Sequence, residues 1–197
     1  DGYGFLLECA HHTTGLYGAA VPWKSGRDHK EQILKYPYGS SIINLTRDRG
    51  YGRVTIDDRG RAVPSYLISD ELDVANFRRG LDEMIRLHEA AGAGEIQSLA
   101  RGLGAWKRGD DLETFVSAVT AAPLAPREMG IFSAHQMGSC RMGTDPGTSV
   151  ADPTGELHDV KGVWIGDGSA FPTASGTNPM FTIMALARRT ATTIAAL

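Results

Sequence analysis

The amino-acid sequence predicts an α+β protein: a mixed or antiparallel sheet with helices, followed by a last strand and helix of separate character. Three observations lead there. Over residues 1–70, short apolar runs alternate with polar neighbours and turn residues, which is the pattern of strands and hairpins. In two later segments apolar side chains recur at three- and four-residue steps, the period of a helix that packs along one face. The C-terminal third then turns glycine-rich, with Asp-Pro turns ahead of one apolar run and one more helical pattern.

Taken in order, "GFLLE" and "SIINLT" read as strands, and the polar stretch between them, "PWKSGRDHKEQILKYPYG", reads as an exposed loop that leaves His29 solvated. His11 and His12 are adjacent, so in a strand they point to opposite faces and make poor joint metal ligands. In "YGRVTIDDRGRAVPSYLIS", Val54 and Ile56 alternate with polar residues before the turn residues Asp57 to Gly60, which predicts a hairpin. Ser69 or Asp70 can cap a helix whose stripe is Val74, Phe77, Leu81, Met84, Ile85 and His88, ending at the glycines of "AAGAGE". His88 then sits at the edge of a core. "DDLETFVSAVT" repeats the acidic start and apolar face, and the prolines of "AAPLAP" close it.

Composition narrows the function classes. The chain has 197 residues, 42% of them hydrophobic, which is enough to bury a core. With 20 basic and 23 acidic residues the net charge is -3, which gives no broad attraction for a phosphate backbone, so nucleic acid is not expected as a partner. No apolar run reaches the roughly 20 residues of a membrane-spanning helix. Cys9 and Cys140 stand far apart, as two free thiols of a reducing compartment would, and a cytoplasmic location is the expectation. The opening "DGYGFLLECAHHTTGLYG" has neither an initiator methionine nor a targeting signal and reads as the interior of a longer protein.

Two C-terminal segments carry the candidate chemistry. "FSAHQMGSCRMG" sets His135 among glycines that allow close backbone approach, a placement suited to a proton carrier beside a flat ligand or to plain packing. "GVWIGDGS" reads as an apolar strand ending at Gly166, Asp167 and Gly168, where backbone donors can meet a phosphate or ribityl group. In "SGTNPMFTIMALARR", Asn178 is expected as N-cap and Pro179 as the first helical residue, so that the amides of Met180 and Phe181 lie at a positive helix end. His135, Cys140 and His158 also offer imidazole and thiolate to a metal, but their spacing fits no familiar closed site, and no metal is expected.

The ordered set "HQMGSCRMG", "DP", "GVWIGDGSAFP" and "GTNPMFTIMALARR" resembles the C-terminal part of the glucose-methanol-choline family of flavin oxidoreductases, closely over residues 130 to 197. Its wording is most like the bacterial and long-chain alcohol oxidizing branches. "SGRDHKE" and "RDRGYGRVTIDDRGR" resemble the substrate-domain sheet of the same family. The resemblance implies FAD as cofactor, His135 as catalytic base and Asn178 as a second polar group at the reacting oxygen. It further implies Asp167, Gly168, Asn178, Pro179 and Met180 as cofactor-binding positions. The implied reaction moves the proton of an alcohol toward His135 and a hydride from its carbon to the flavin, giving an aldehyde or ketone.

By the same resemblance, residues 1–160 form the substrate-binding domain with the catalytic histidine loop, and residues 161–197 the returning strand and helix of a Rossmann-like FAD domain. The N-terminal FAD-binding half, with its GxGxxG, is missing from this sequence and is the implied partner. The substrate is expected to be a small-molecule alcohol, with the electron acceptor left open. A competing reading makes the chain a detached binding or interaction module of the same fold without redox activity. Flavin absorbance of the full-length protein separates the two.

Overall fold

The computed structural model describes residues 4–10 and 13–197; His11 and His12 lie outside the described residues. In chain order the elements are β1 (Phe5–Cys9), α1 (Thr14–Ala20), α2 (Gly26–Leu34), β2 (Ile42–Thr46), β3 (Arg53–Ile56) and β4 (Ala62–Ser65). They continue with α3 (Glu71–Ala90), β5 (Glu95–Ile96), β6 (Trp106–Lys107), α4 (Leu112–Ala121) and α5 (Met180–Ile194). The class is α+β, with small antiparallel sheets. The chain divides into two compact units, one of residues up to Thr46 plus Ile68–Phe132, the other of Arg47–Leu67 plus Ser133–Leu197.

In the first unit β1 pairs antiparallel with β2, Leu7 opposite Asn44. The segment between them corrects the loop reading, because much of it is helical. Thr13 Oγ1 accepts the Leu16 amide at 3.2 Å and Ser25 Oγ accepts the Asp28 amide at 3.1 Å, so each short helix has its own side-chain cap. His29 is half-buried rather than solvated; its Nε2 lies 2.9 Å from the Gly18 carbonyl oxygen and its ring is 5.4 Å from Trp23. Helix α3 starts at its expected cap, Asp70, whose carboxylate accepts the amides of Leu72 and Asp73 at 3.0 and 3.2 Å. It ends ahead of Gly92, which takes a φ of 91°.

The α3 stripe and the apolar face of α4 close on β5 and β6, burying Ile85, Ile96, Trp106, Val116 and Val119 together. Across that junction the Arg86 guanidinium donates to Asp82 at 2.6 Å and to both oxygens of Glu113 at 2.6 and 2.8 Å. This network is largely exposed, so it orients the helices more than it stabilises them.

The second unit begins with the expected hairpin, β3 on β4, with Ile56 opposite Ala62. Asp57 organises its turn by accepting the amides of Arg59 and Arg61, both at 2.9 Å. The remainder is loop, followed by α5. "GVWIGDGS" departs from the strand reading: Trp164 makes a single bridge to Glu156, and no ladder runs through it among the described residues. A strand needs a neighbour along its length, and here the pairing is confined to one bridge, with the Leu157 amide donating to the Val163 carbonyl oxygen at 2.9 Å and the Ile165 amide to the Gly155 carbonyl oxygen at 2.8 Å.

Candidate active site

Residues 133–143 form a loop laid along residues 168–170. Three backbone hydrogen bonds fix the register: the amides of Gly138, Cys140 and Met142 donate to the carbonyl oxygens of Gly168, Ser169 and Ala170 at 3.3, 3.0 and 2.9 Å. Gly138 adopts a φ of 78°, and a Cβ there would stand 3.3 Å from the Phe171 carbonyl oxygen. Glycine suits both the left-handed turn and the close approach.

Beneath this loop Gly168–Ala170 form a short 3-10 turn capped by Asp167, whose Oδ1 accepts the Ser169 hydroxyl at 2.5 Å and the Ser169 amide at 2.8 Å. The Ser169 hydroxyl, followed by its amide, holds the Asp167 carboxyl below the usual carboxylate range. Gly168 is buried, and a Cβ on it would meet Ile183 Cδ1 of α5 at 3.2 Å and the Gln136 carbonyl oxygen at 3.4 Å. The residue after His135, the Asp167 turn and the first turns of α5 thus converge on one glycine.

A second tie lies closer to the two proposed catalytic residues. The Ser175 amide donates to Met137 Sδ at 3.4 Å, linking the loop that carries His135 to the turn that leads to Asn178. Ser175 Oγ in turn donates to the Thr177 carbonyl oxygen at 2.6 Å. His135 is half-buried, while Asn178 is exposed and has a polar partner of its own.

The start of α5 needs a correction. Its N-cap is buried Pro179, at φ -88° and ψ -1°, with Met180 as the first helical residue, so Asn178 stands one position before the cap. Proline already has a helical φ and carries no N–H, which lets the helix begin one residue later than the sequence pattern indicated. Pro179 has no side-chain oxygen to offer, and no acidic residue stands in the first turn. The amides of that turn consequently face no anionic side chain from their own helix. Met180 and Phe181 are 59% and 77% exposed.

The far end of the loop is held by groups that the sequence pattern did not single out for this task. His158 Nε2 lies 2.9 Å from Ser149 Oγ and 3.2 Å from the Gly143 carbonyl oxygen. The carbonyl can only accept, so Nε2 carries the proton, and the Ser149 hydroxyl sends its own to the Asp145 carbonyl oxygen at 2.6 Å. Nearby, Asp152 Oδ1 accepts the amides of Thr154, Gly155 and Glu156 and the Thr154 hydroxyl, between 2.6 and 3.2 Å. Thr190 of α5, 5% exposed, donates to the Thr154 carbonyl oxygen at 3.1 Å and staples this turn to the helix. The two Asp-Pro pairs signalled turns here; no sequence signal gave the histidine clasp. Among the described residues no group of three or more His, Cys, Asp or Glu side chains is arranged to hold a metal ion. No described helix is long and apolar enough to cross a membrane.

Comparison with known proteins agrees with this architecture. The C-terminal model of the family described as GMC oxidoreductase matches residues 48–187. The chain belongs to that family. It is 38% identical over 177 residues to a long-chain-alcohol oxidase of Arabidopsis thaliana, FAO4A, covering 88% of this chain and 24% of that protein. A second Arabidopsis thaliana long-chain-alcohol oxidase, FAO3, is 31% identical over 198 residues, covering 96% of this chain and 26% of that protein. The chain therefore spans about a quarter of the length of these curated relatives. Its fold is similar to pyridoxine 4-oxidase from Mesorbium loti, with a TM-score of 0.57 at 21% identity, covering 80% of this chain and 30% of that one. It is also similar to a formate oxidase of Aspergillus oryzae RIB40, with a TM-score of 0.53 at 18% identity over 79% of this chain and 26% of the other.

Proposed function

We propose that this chain is the C-terminal part of an FAD-dependent enzyme that oxidises an alcohol to an aldehyde or ketone, with His135 as the base. The observation that carries the reading is the junction of two distant segments within one unit. The His135 loop lies on the Gly168 turn through three backbone bonds, and Met137 reaches the turn before Asn178. The names of the two Arabidopsis relatives favour a long-chain alcohol as substrate.

The residues fit a flavin in kind. The first-turn amides of α5 meet no acidic neighbour in that turn, which suits them to an anionic or electron-rich group. Met180 and Phe181 present exposed apolar surface beside them. Asp167, Gly168, Asn178, Pro179 and Met180 would contribute to that site, while the Asp167 carboxylate orders its own turn through Ser169. In this reading residues 1–160 bind substrate and residues 161–197 return to the FAD domain, whose N-terminal half supplies the missing neighbour of the Val163–Ile165 run.

FAD, when bound, supplies the acceptor for the hydride. His135 takes the hydroxyl proton at an imidazole nitrogen as the C–H bond breaks, so that charge does not accumulate on the substrate oxygen. Asn178 donates its side-chain amide to the same oxygen, where one well-placed donor is worth about 3 kcal/mol. The half-burial of His135 limits competition from water.

The test is anaerobic flavin reduction in the full-length, FAD-loaded protein. His135→Ala is expected to keep its flavin and to slow reduction by a long-chain primary alcohol by at least about 100-fold, with about tenfold for Asn178→Ala. Reduction of His135→Ala at the wild-type rate would refute the assignment. A full-length protein that stays colourless after incubation with FAD would favour the silent module.

A further inference from the structure

We propose that Met137 is a positioning residue, setting the separation of His135 and Asn178 through the hydrogen bond its sulfur accepts from the Ser175 amide. The proposal rests on the reading that these two residues act on the alcohol. Met137 follows His135 by two positions, and Ser175 precedes Asn178 by three.

The backbone bonds to residues 168–170 fix the loop from Gly138 onward. Upstream of that point the Gln136 side chain donates at 2.6 Å to Ser133, within its own segment, which shapes the loop without anchoring it. Met137 carries the anchoring one residue further toward His135, and it does so from the opposite direction, onto the turn before α5.

That turn transmits position well. The Ser175 hydroxyl donates to the Thr177 carbonyl oxygen at 2.6 Å and accepts the Thr177 amide at 3.4 Å, so residues 175–177 form a closed unit. Gly176 completes it with a φ of 69°, and buried Pro179 with its fixed ring ends the segment. A shift of the Ser175 amide therefore moves Asn178 with it.

The choice of methionine has a physical consequence. A thioether is a weak, polarisable acceptor on an unbranched side chain, which reaches an amide across a gap of 3.4 Å that an oxygen acceptor would close further. Leucine has similar bulk and no acceptor, so Met137→Leu keeps packing and removes the tie. Glutamine has similar length and carries a carbonyl oxygen one bond beyond the position of the sulfur, within reach of the same amide, so Met137→Gln restores an acceptor.

The experiment compares wild type, Met137→Leu, Met137→Gln and His135→Ala as full-length, FAD-loaded proteins. Two quantities are read: the anaerobic rate of flavin reduction by 1-dodecanol, with its KM, and the hydrogen exchange of the Ser175 amide. Met137→Leu is expected to slow reduction about tenfold, with flavin content kept, KM little changed and Ser175 exchange faster. Met137→Gln is expected to recover most of the rate and the protection. Wild-type reduction by Met137→Leu, an equal loss in both Met137 variants, or loss of flavin from Met137→Leu would overturn the positioning role. A wild-type rate in His135→Ala overturns the catalytic reading beneath it, whereas a silent Met137→Leu beside an inactive His135→Ala overturns the positioning role alone.

Discussion

The two units are held together by different means. The first closes an apolar cluster, Ile85, Ile96, Trp106, Val116 and Val119, between two capped helices and a pair of short strands. The second buries little of comparable size: Ala151, Ala170, Phe171 and Pro179 are its buried apolar residues, and its order comes from turns in which Asp152, Asp167 and Ser149 satisfy backbone groups. Its α-helix, α5, keeps Met180, Phe181 and Met184 largely exposed. Both proposed catalytic residues belong to this second kind of structure. Hydrogen-bonded loops can set polar groups at chosen positions in a way that an apolar cluster cannot, and they depend more on individual side chains.

The sharpest contrast should come from deleting one group in each unit. Trp106→Ala removes a side chain only 4% exposed, together with the bond from Nε1 to the Asp110 carbonyl oxygen at 3.1 Å. A loss of about 3–5 kcal/mol is expected, measured as a lowered urea midpoint. A loss below about 1 kcal/mol would mean that this cluster does not dominate its unit. Thr190→Val keeps the shape and removes the hydroxyl that staples the Asp152 turn to α5, leaving the Thr154 carbonyl without that donor. About 1–2 kcal/mol is expected in the same titration. An unchanged midpoint would instead assign Thr190 to packing.

The same contrast explains what was legible in the sequence. Period and caps gave α3 and α4, because Asp70 and Asp111 act within their own segments and the apolar stripe meets a partner inside this chain. The hairpin was legible from Asp57 to Gly60 for the same reason. Helices α1 and α2 were hidden because they bury no residue: α1 is a short run with two glycines, α2 has the pattern of a charged loop, and only Thr13 and Ser25 mark their starts. The strand expected in "GVWIGDGS" has, among the described residues, one bridge to Glu156 and no ladder. At the candidate site, His135 and the glycines stood out by residue type. The bonds of Met137 to Ser175 and of His158 to Ser149 and Gly143 join residues 38, 9 and 15 positions apart, and nothing local encodes such pairings.

Acid should act in two pH windows, the lower one shared by both units, since Asp111 and Glu113 of the first are also held below the ordinary carboxylate range, chiefly by the Thr114 hydroxyl and by Arg86. The Thr154 hydroxyl, aided by the amides of Thr154, Glu156 and Gly155, holds the Asp152 carboxyl below its ordinary range. A depressed carboxyl pKa contributes stability above the unfolded value, which is lost as pH falls from about 4 through the folded value. Asp152→Asn should flatten that part of the urea-midpoint profile for the second unit; an unchanged acid slope would remove Asp152 from the account.

The first unit should in addition respond earlier, and weakly, through His88. Burial at the end of α3 pushes its imidazole below the ordinary histidine range. Below about pH 6.5 the unfolded chain takes up a proton that the folded His88 resists, so stability declines as pH falls from there to the lower folded value and then levels off. His88→Gln cannot take up that proton and should abolish the decline, with little change above pH of about 7.5, where both states hold the wild-type imidazole neutral. The side chain is only half-buried, so this is the smallest of the expected effects. Urea midpoints followed from about pH 8 to about pH 5 decide it. If the His88→Gln profile runs parallel to wild type across that range, the near-neutral window has another origin than burial of this imidazole.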